Sequence, residues 1–132
     1  MLDQFDFAVI YTNLPFLLDG LGLSFLLTAL AICGGLGLGV LLAIARQSRS
    51  LPLKAISTVY VNAFRSVPLL LVIFWFYFMV PLIIGQSVGA FYSALIAFSL
   101  FEAAYYSEII RAGLQSVSRG QVQAGLALGL TR

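Results

Sequence analysis

Leu21-Gly-Leu-Ser-Phe-Leu-Leu-Thr-Ala-Leu-Ala-Ile-Cys-Gly-Gly-Leu-Gly-Leu-Gly-Val-Leu-Leu-Ala-Ile-Ala45 holds 25 consecutive residues without a charge. As a helix rising 1.5 Å per residue it is about 37 Å long, enough to cross a hydrocarbon core of about 30 Å with some tilt. Ala31, Gly35, Gly39 and Ala43 recur every four residues. That spacing puts small side chains on one helix face, where a neighbouring helix can approach closely. The glycines from Gly34 to Gly39 fit no G-x-G-x-x-G register and no Lys-Ser/Thr follows them, so they read as a packing seam rather than a nucleotide loop.

The rest of the composition agrees. Hydrophobic residues make up 61% and charged residues 9% of the 132 positions, against roughly 45–50% and 25% in soluble domains. Mean hydropathy is +1.05. The expected fold class is therefore an all-α membrane protein. Cys33 is the lone cysteine of the chain, so no internal disulfide is available. The absence of His removes zinc-protease motifs and Ser-His triads. No paired Asp lies within a span, which counts against an intramembrane protease. No metal, resident cofactor or nucleic-acid partner is expected.

Outward from the first span, residues 1–20 mix Asp3 and Asp6 with Phe5, Phe7, Tyr11 and Phe16. Such a segment suits the membrane–water boundary, with Pro15 interrupting any helix there. Its acids, and a following apolar run longer than a secretory core of about 7–15 residues, argue against a signal peptide. Residues 46–54 form a basic loop. Residues 55–84 read as a second span containing Arg65 and Pro68, with Pro68 expected to kink or break it. Residues 90–111 read as a third span, and 112–132 lead out of it. Three Asp and no Lys or Arg precede the first span, whereas Arg46, Arg49 and Lys54 follow it and Arg111, Arg119 and Arg132 end or follow the third. The positive-inside rule then places the N-terminus outside and both basic segments in the cytoplasm.

Glu102, Tyr105, Glu108 and Arg111 recur every three residues, a slowly drifting polar stripe on a helix. Charges at membrane depth face protein or a watered cavity. Glu108 and Arg111 are spaced for an i,i+3 pair. Glu102 lies deeper without a local cation, so it lines a pathway, pairs with Arg65, or is held protonated in the bundle. Arg65 either snorkels to the interface or binds a carboxylate through paired hydrogen bonds.

The C-terminal stretch is different in kind. From Gln121 to Leu128 it is built of helix formers, and Gly129 suits a helix stop. Val122, Leu126 and Leu130 mark one apolar face, and Ala124, Gly125 and Ala127 allow close approach of another surface.

Gly120-Gln121, Gln123-Ala124-Gly125 and Ala127-Leu128-Gly129-Leu130 together resemble the cytoplasmic coupling loop of ABC importer permeases. The family pattern reads Glu-Ala-Ala, three residues, then Gly. Here Gln123 stands in place of the Glu and Gly125 in place of the second Ala, with Gly129 in register. Phe64-Arg-Ser-Val-Pro-Leu-Leu70 and Glu108-Ile-Ile-Arg-Ala-Gly-Leu-Gln-Ser-Val117 look like the polar amino acid uptake branch of that family. The resemblance runs from Leu21 to Arg132 and implies a C-terminally truncated permease, since family members continue into further spans.

It implies a bacterial inner-membrane subunit of an ATP-driven importer of polar amino acids. A solute-binding protein would deliver cargo outside, a second permease subunit, identical or not, would complete the pathway, and membrane lipid would surround both. A cytoplasmic ABC ATPase dimer would bind the ATP, because this chain has no Walker motif. Pathway residues would be Arg65, Pro68, Glu102, Tyr105, Glu108 and Arg111. ATPase coupling would fall to Gly120, Gln121, Gln123, Ala124, Gly125, Leu128 and Gly129. A small secondary or proton-coupled transporter using Glu102, and a non-functional truncated fragment, are the rival readings.

Overall fold

The computed structural model describes residues 8–130, apart from the Arg119 side chain. Asp3, Phe5, Asp6, Phe7 and Arg132, which enter the boundary and charge readings, lie outside the described residues. Every regular element described is helical: α1 (Ala8–Thr12), α2 (Leu14–Gln47), α3 (Leu51–Ser66), α4 (Leu69–Phe74), a π-helical turn (Trp75–Met79), α5 (Val80–Ile84), α6 (Ala90–Ser116) and α7 (Arg119–Ala127).

The first span is longer than the uncharged run. α2 has 34 residues, about 51 Å at 1.5 Å per residue. Pro15 falls in its first turn, where a missing N–H costs nothing. The proline therefore opens α2 and separates it from α1, rather than interrupting a boundary helix of residues 1–20.

α2 packs chiefly on α6. Ala31, Gly35, Gly39 and Ala43 are its buried residues. A Cβ added at Gly35 would lie 2.8 Å from the Glu102 Cβ and 3.2 Å from the Ser99 carbonyl oxygen. At Gly39 it would lie 2.7 Å from the Tyr106 Cβ and 3.1 Å from the Ala103 oxygen. Both helices therefore run in the same direction, and their contact is small on small: Ser93, Ala97, Ala103, Ala104 and Ser107 are the buried residues of α6. Between apolar helices in lipid, such close backbone contact replaces the hydrophobic drive that water would supply. Outside the seam, Phe25, Leu41 and Ile44 of α2 are exposed, as lipid-facing side chains are.

The expected second span of residues 55–84 is not one straight helix. α3 stops at Ser66, Val67 and Pro68 are extended, and the chain restarts at Leu69. A proline disfavours helical backbone in the residue before it and cannot donate to the turn above, which accounts for the break. The two halves meet at 104°. α3 thus lies across the bundle as an elbow. Its Ser57 and Val61 are buried, and the Tyr60 hydroxyl donates to the Leu100 carbonyl of α6 at 2.8 Å. The helix of the third span also runs further than residues 90–111, to Ser116.

Candidate functional site

At the C-terminal ends of α2, α3 and α6 four charged side chains meet. Glu108 is the centre. Arg46 Nη1 of α2 donates to Glu108 Oε2 at 2.6 Å. Arg111, one turn along α6, grips both carboxylate oxygens, through Nη2 to Oε1 and Nε to Oε2. Its Nη1 donates to Gln115 Oε1 at 2.7 Å. Arg65, in the last turn of α3, brings Nη1 to 3.6 Å from Glu108 Oε2. Its guanidinium carbon lies 5.8 Å from the centre of the Tyr105 ring, a cation–π distance. Three arginines from three helices share one carboxylate. The cluster ties the elbow to the α2–α6 pair and keeps two positive charges in surplus.

The local reasons are visible. Each of Arg46 and Arg65 sits in the last turn of its helix, where unpaired carbonyls favour a cation. Pro68 stops α3 just after Arg65, which leaves that side chain at the bundle rather than further along a span. Arg65 accordingly pairs with Glu108 and not with Glu102, a correction to the sequence expectation for Glu102. Glu108 lies six residues along α6 from Glu102, about 9 Å nearer the same end as Arg65.

In the sequence Arg46 stands out only as part of a basic loop. The glycine ladder carries the signal that places it. Gly35 sits against Glu102 and Gly39 against Tyr106, so one further turn sets Ala43 at the level of Ile110. A helical side chain points back toward its own N-terminus. Arg46 therefore arrives near Glu108.

Glu102 has a separate setting. Because its Cβ and that of Tyr106 press against Gly35 and Gly39, both side chains turn sideways off the seam. There they line a cavity of about 140 Å³ with Thr28, Ala31, Ile32 and Phe98. No cation pairs with Glu102 among the described residues. Tyr105 does not line this cavity and lies under Arg65 instead.

α7 follows a break at Val117–Ser118. It spans Arg119–Ala127, two residues earlier at its start than the composition of 121–128 suggests. The reason is Ser118, whose side chain accepts from the Gln121 backbone N–H at 3.3 Å while Gln121 Oε1 accepts from the Ser118 N–H at 3.1 Å. This is a capping box. At the other end Gly129 has φ +84°. The Leu130 N–H donates to the Gly125 carbonyl and the Gly129 N–H to the Leu126 carbonyl, each at 3.1 Å. These two bonds form a Schellman closure. Leu130 folds back so that a Cβ at Gly125 would meet its Cδ1 at 3.5 Å. Both ends are thus fixed locally, and α7 packs on no other helix among the described residues. Gln121, Gln123, Ala124 and Leu128 are exposed, as is Gly120, and Leu128 is 83% accessible.

Comparisons with known proteins point one way. The family described as "Binding-protein-dependent transport system inner membrane component" matches residues 35–132. The glutamate/aspartate import permease protein GltK of Escherichia coli O6:H1 is 47% identical over 135 residues, covering 97% of this chain and 60% of that protein. The arginine transport system permease protein ArtQ of Bacillus subtilis is 37% identical over 125 residues, covering 95% of this chain and 57% of that protein. A solved structure, titled "Crystal structure of an amino acid ABC transporter with histidines", superposes with a TM-score of 0.88 at 32% identity, covering 98% of this chain and 60% of that one. The chain spans about three fifths of the length of the relatives it matches.

Proposed function

The chain belongs to the inner membrane components of binding-protein-dependent transport systems, and from that premise we propose that it builds part of the pathway of an ATP-driven amino acid importer. The observation that carries the reading is α7. A short helix closed at both ends by its own backbone and side chains, and packed on nothing else described, is shaped to be held by another protein. A rigid, exposed helix can pass a push to the spans behind it without any chemistry of its own.

In this reading the N-terminus is outside and α7 is cytoplasmic, as the charge distribution favours. A cytoplasmic ATPase dimer grips α7 through Gly120, Gln121, Gln123, Ala124, Gly125, Leu128 and Gly129. ATP binding there moves α7 and, through α6, the seam with α2 and the elbow. A second permease subunit closes the pathway, and a binding protein loads it from outside. Arg65, Pro68, Glu102, Tyr105, Glu108 and Arg111 belong to the moving parts or the lining. The name of the 47% identical relative supports glutamate or aspartate as the first cargo to test. The test is uptake of labelled glutamate by proteoliposomes holding the full-length permease, its ATPase and its binding protein. Uptake that requires ATP inside and binding protein outside is expected. Uptake driven by a proton gradient without ATP would replace this reading with a relay through Glu102.

A further inference from the structure

The charge cluster has a feature that holding helices together does not require. The Glu108 carboxylate is largely committed: Oε1 takes Arg111, and Oε2, the oxygen nearest Arg65, takes both Arg46 and a second bond from Arg111. Arg65 is the arginine left over. At 3.6 Å it feels the charge of Glu108 yet makes no hydrogen bond to it. Among the described residues its five N–H donors find no hydrogen-bonded acceptor, while its side chain is 40% accessible. It is nevertheless held in place, between Glu108 on one side and the Tyr105 ring on the other. Arg49, between α2 and α3, and Lys54, in the first turn of α3, have no such supports.

A guanidinium that is positioned, partly open and short of acceptors is built to receive two oxygens of one anion side by side. With Arg65 counted, the cluster carries two positive charges in surplus, which supplies the matching field.

We propose that Arg65, braced by Tyr105 and Glu108, is an oxyanion-binding site at the Arg46–Glu108 end of the pathway, taking the carboxylate of an anionic amino acid. The proposal rests on the importer reading and deepens it by naming the chemical group recognised. A phospholipid phosphate offers the same pair of oxygens at the membrane surface, so the two sources are to be separated by experiment. The positions of Glu108 and Arg46 explain why the site is not closed by its own neighbours. The Glu108 oxygen nearest Arg65, Oε2, already accepts two bonds, and removing Glu108 would leave the cations to repel each other.

The test uses the full-length permease–ATPase complex, without binding protein, in nanodiscs of phosphatidylcholine or of phosphatidylcholine with phosphatidylglycerol. Binding of labelled L-glutamate is read directly, and retained phosphatidylglycerol is read by native mass spectrometry. Arg65→Gln is expected to weaken glutamate binding roughly ten- to a hundredfold, the scale of a lost charge-assisted pair. Arg65→Lys, which keeps a point charge but not the fork, should lie between the two, and Arg49→Gln should match wild type. If phosphatidylglycerol retention falls in Arg65→Gln while glutamate binding is unchanged, the oxyanion is the lipid's and the substrate assignment is overturned. If neither changes in Arg65→Gln or Arg65→Lys, there is no oxyanion site. Co-purification of the ATPase with each variant separates these outcomes from a failure of the importer reading, which would show already in the wild-type complex.

Discussion

Glu108→Gln is the substitution expected to do most harm for its size. It removes one charge and almost no volume, but it leaves Arg46, Arg65 and Arg111 facing one another. The contributions differ by contact. Arg46 is 10% accessible and sits 2.6 Å from the carboxylate, close to the regime in which breaking a pair costs about 3–5 kcal/mol. Arg65, at 3.6 Å and 40% accessible, is screened and worth about 0–1 kcal/mol. The i,i+3 partner Arg111 adds a solvent-screened contribution along the helix. A total near 3–6 kcal/mol follows for Glu108→Gln. Arg65→Gln alone should cost about 1 kcal/mol or less, because Glu108 keeps its other partners. Arg46→Gln should fall between them for the same reason. The assay is the temperature at which the detergent-solubilised full-length complex loses its monodisperse elution peak. Combining Glu108→Gln with Arg46→Gln should recover part of the loss, since one repelling cation goes with the anion. Equal losses for Glu108→Gln and Arg65→Gln, or strict additivity in the double variant, would refute the shared-carboxylate argument.

Three other sets of substitutions test neighbouring parts. Gly39→Leu should sharply lower the yield of folded complex, because even a Cβ there would lie 2.7 Å from Tyr106; Leu36→Ala, on the lipid-facing surface, should be mild, and equal yields would mean that the seam does not bind α2 to α6. Glu102→Gln should leave assembly intact and impair transport, since the carboxylate lines a cavity and pairs with no described cation; normal uptake would remove Glu102 from the pathway. Ser118→Ala should cost α7 about 1 kcal/mol by deleting half of its capping box, and Gly129→Val should cost more by forcing a β-branched residue to φ +84°; both are read as weakened ATP hydrolysis stimulation with the permease still inserted.

Much of this fold is written in the sequence where local chemistry decides it. The uncharged run and the four-residue ladder specify a span and the face it buries, because small residues have few other uses at that spacing in a membrane. Gly129 announces its turn, since a positive φ excludes most other residues. What depends on contacts between distant segments is legible only in part. Pro68 signals a break but not its 104° angle, which comes from how α3 packs across α6. Pro15 reads as an interruption, yet a proline also suits the first turn of a helix, and there it sits at the start of α2. Arg46 looks like any charge after a span until the α2–α6 register places it beside Glu108. The Ser118–Gln121 box, by contrast, has a sequence signature that a reading by composition overlooks.

The most direct measurement concerns what touches α7. Ala124→Cys in the full-length permease, assembled with its ATPase, should cross-link to that subunit with a short bifunctional thiol reagent and should be protected from a water-soluble maleimide only while the ATPase is bound. Within this chain Cys33 is the one native thiol, set in the middle of α2. An introduced thiol at position 124 that stays open to the maleimide in the assembled complex and yields no cross-link, while ATP-driven uptake proceeds, would contradict the coupling role of α7.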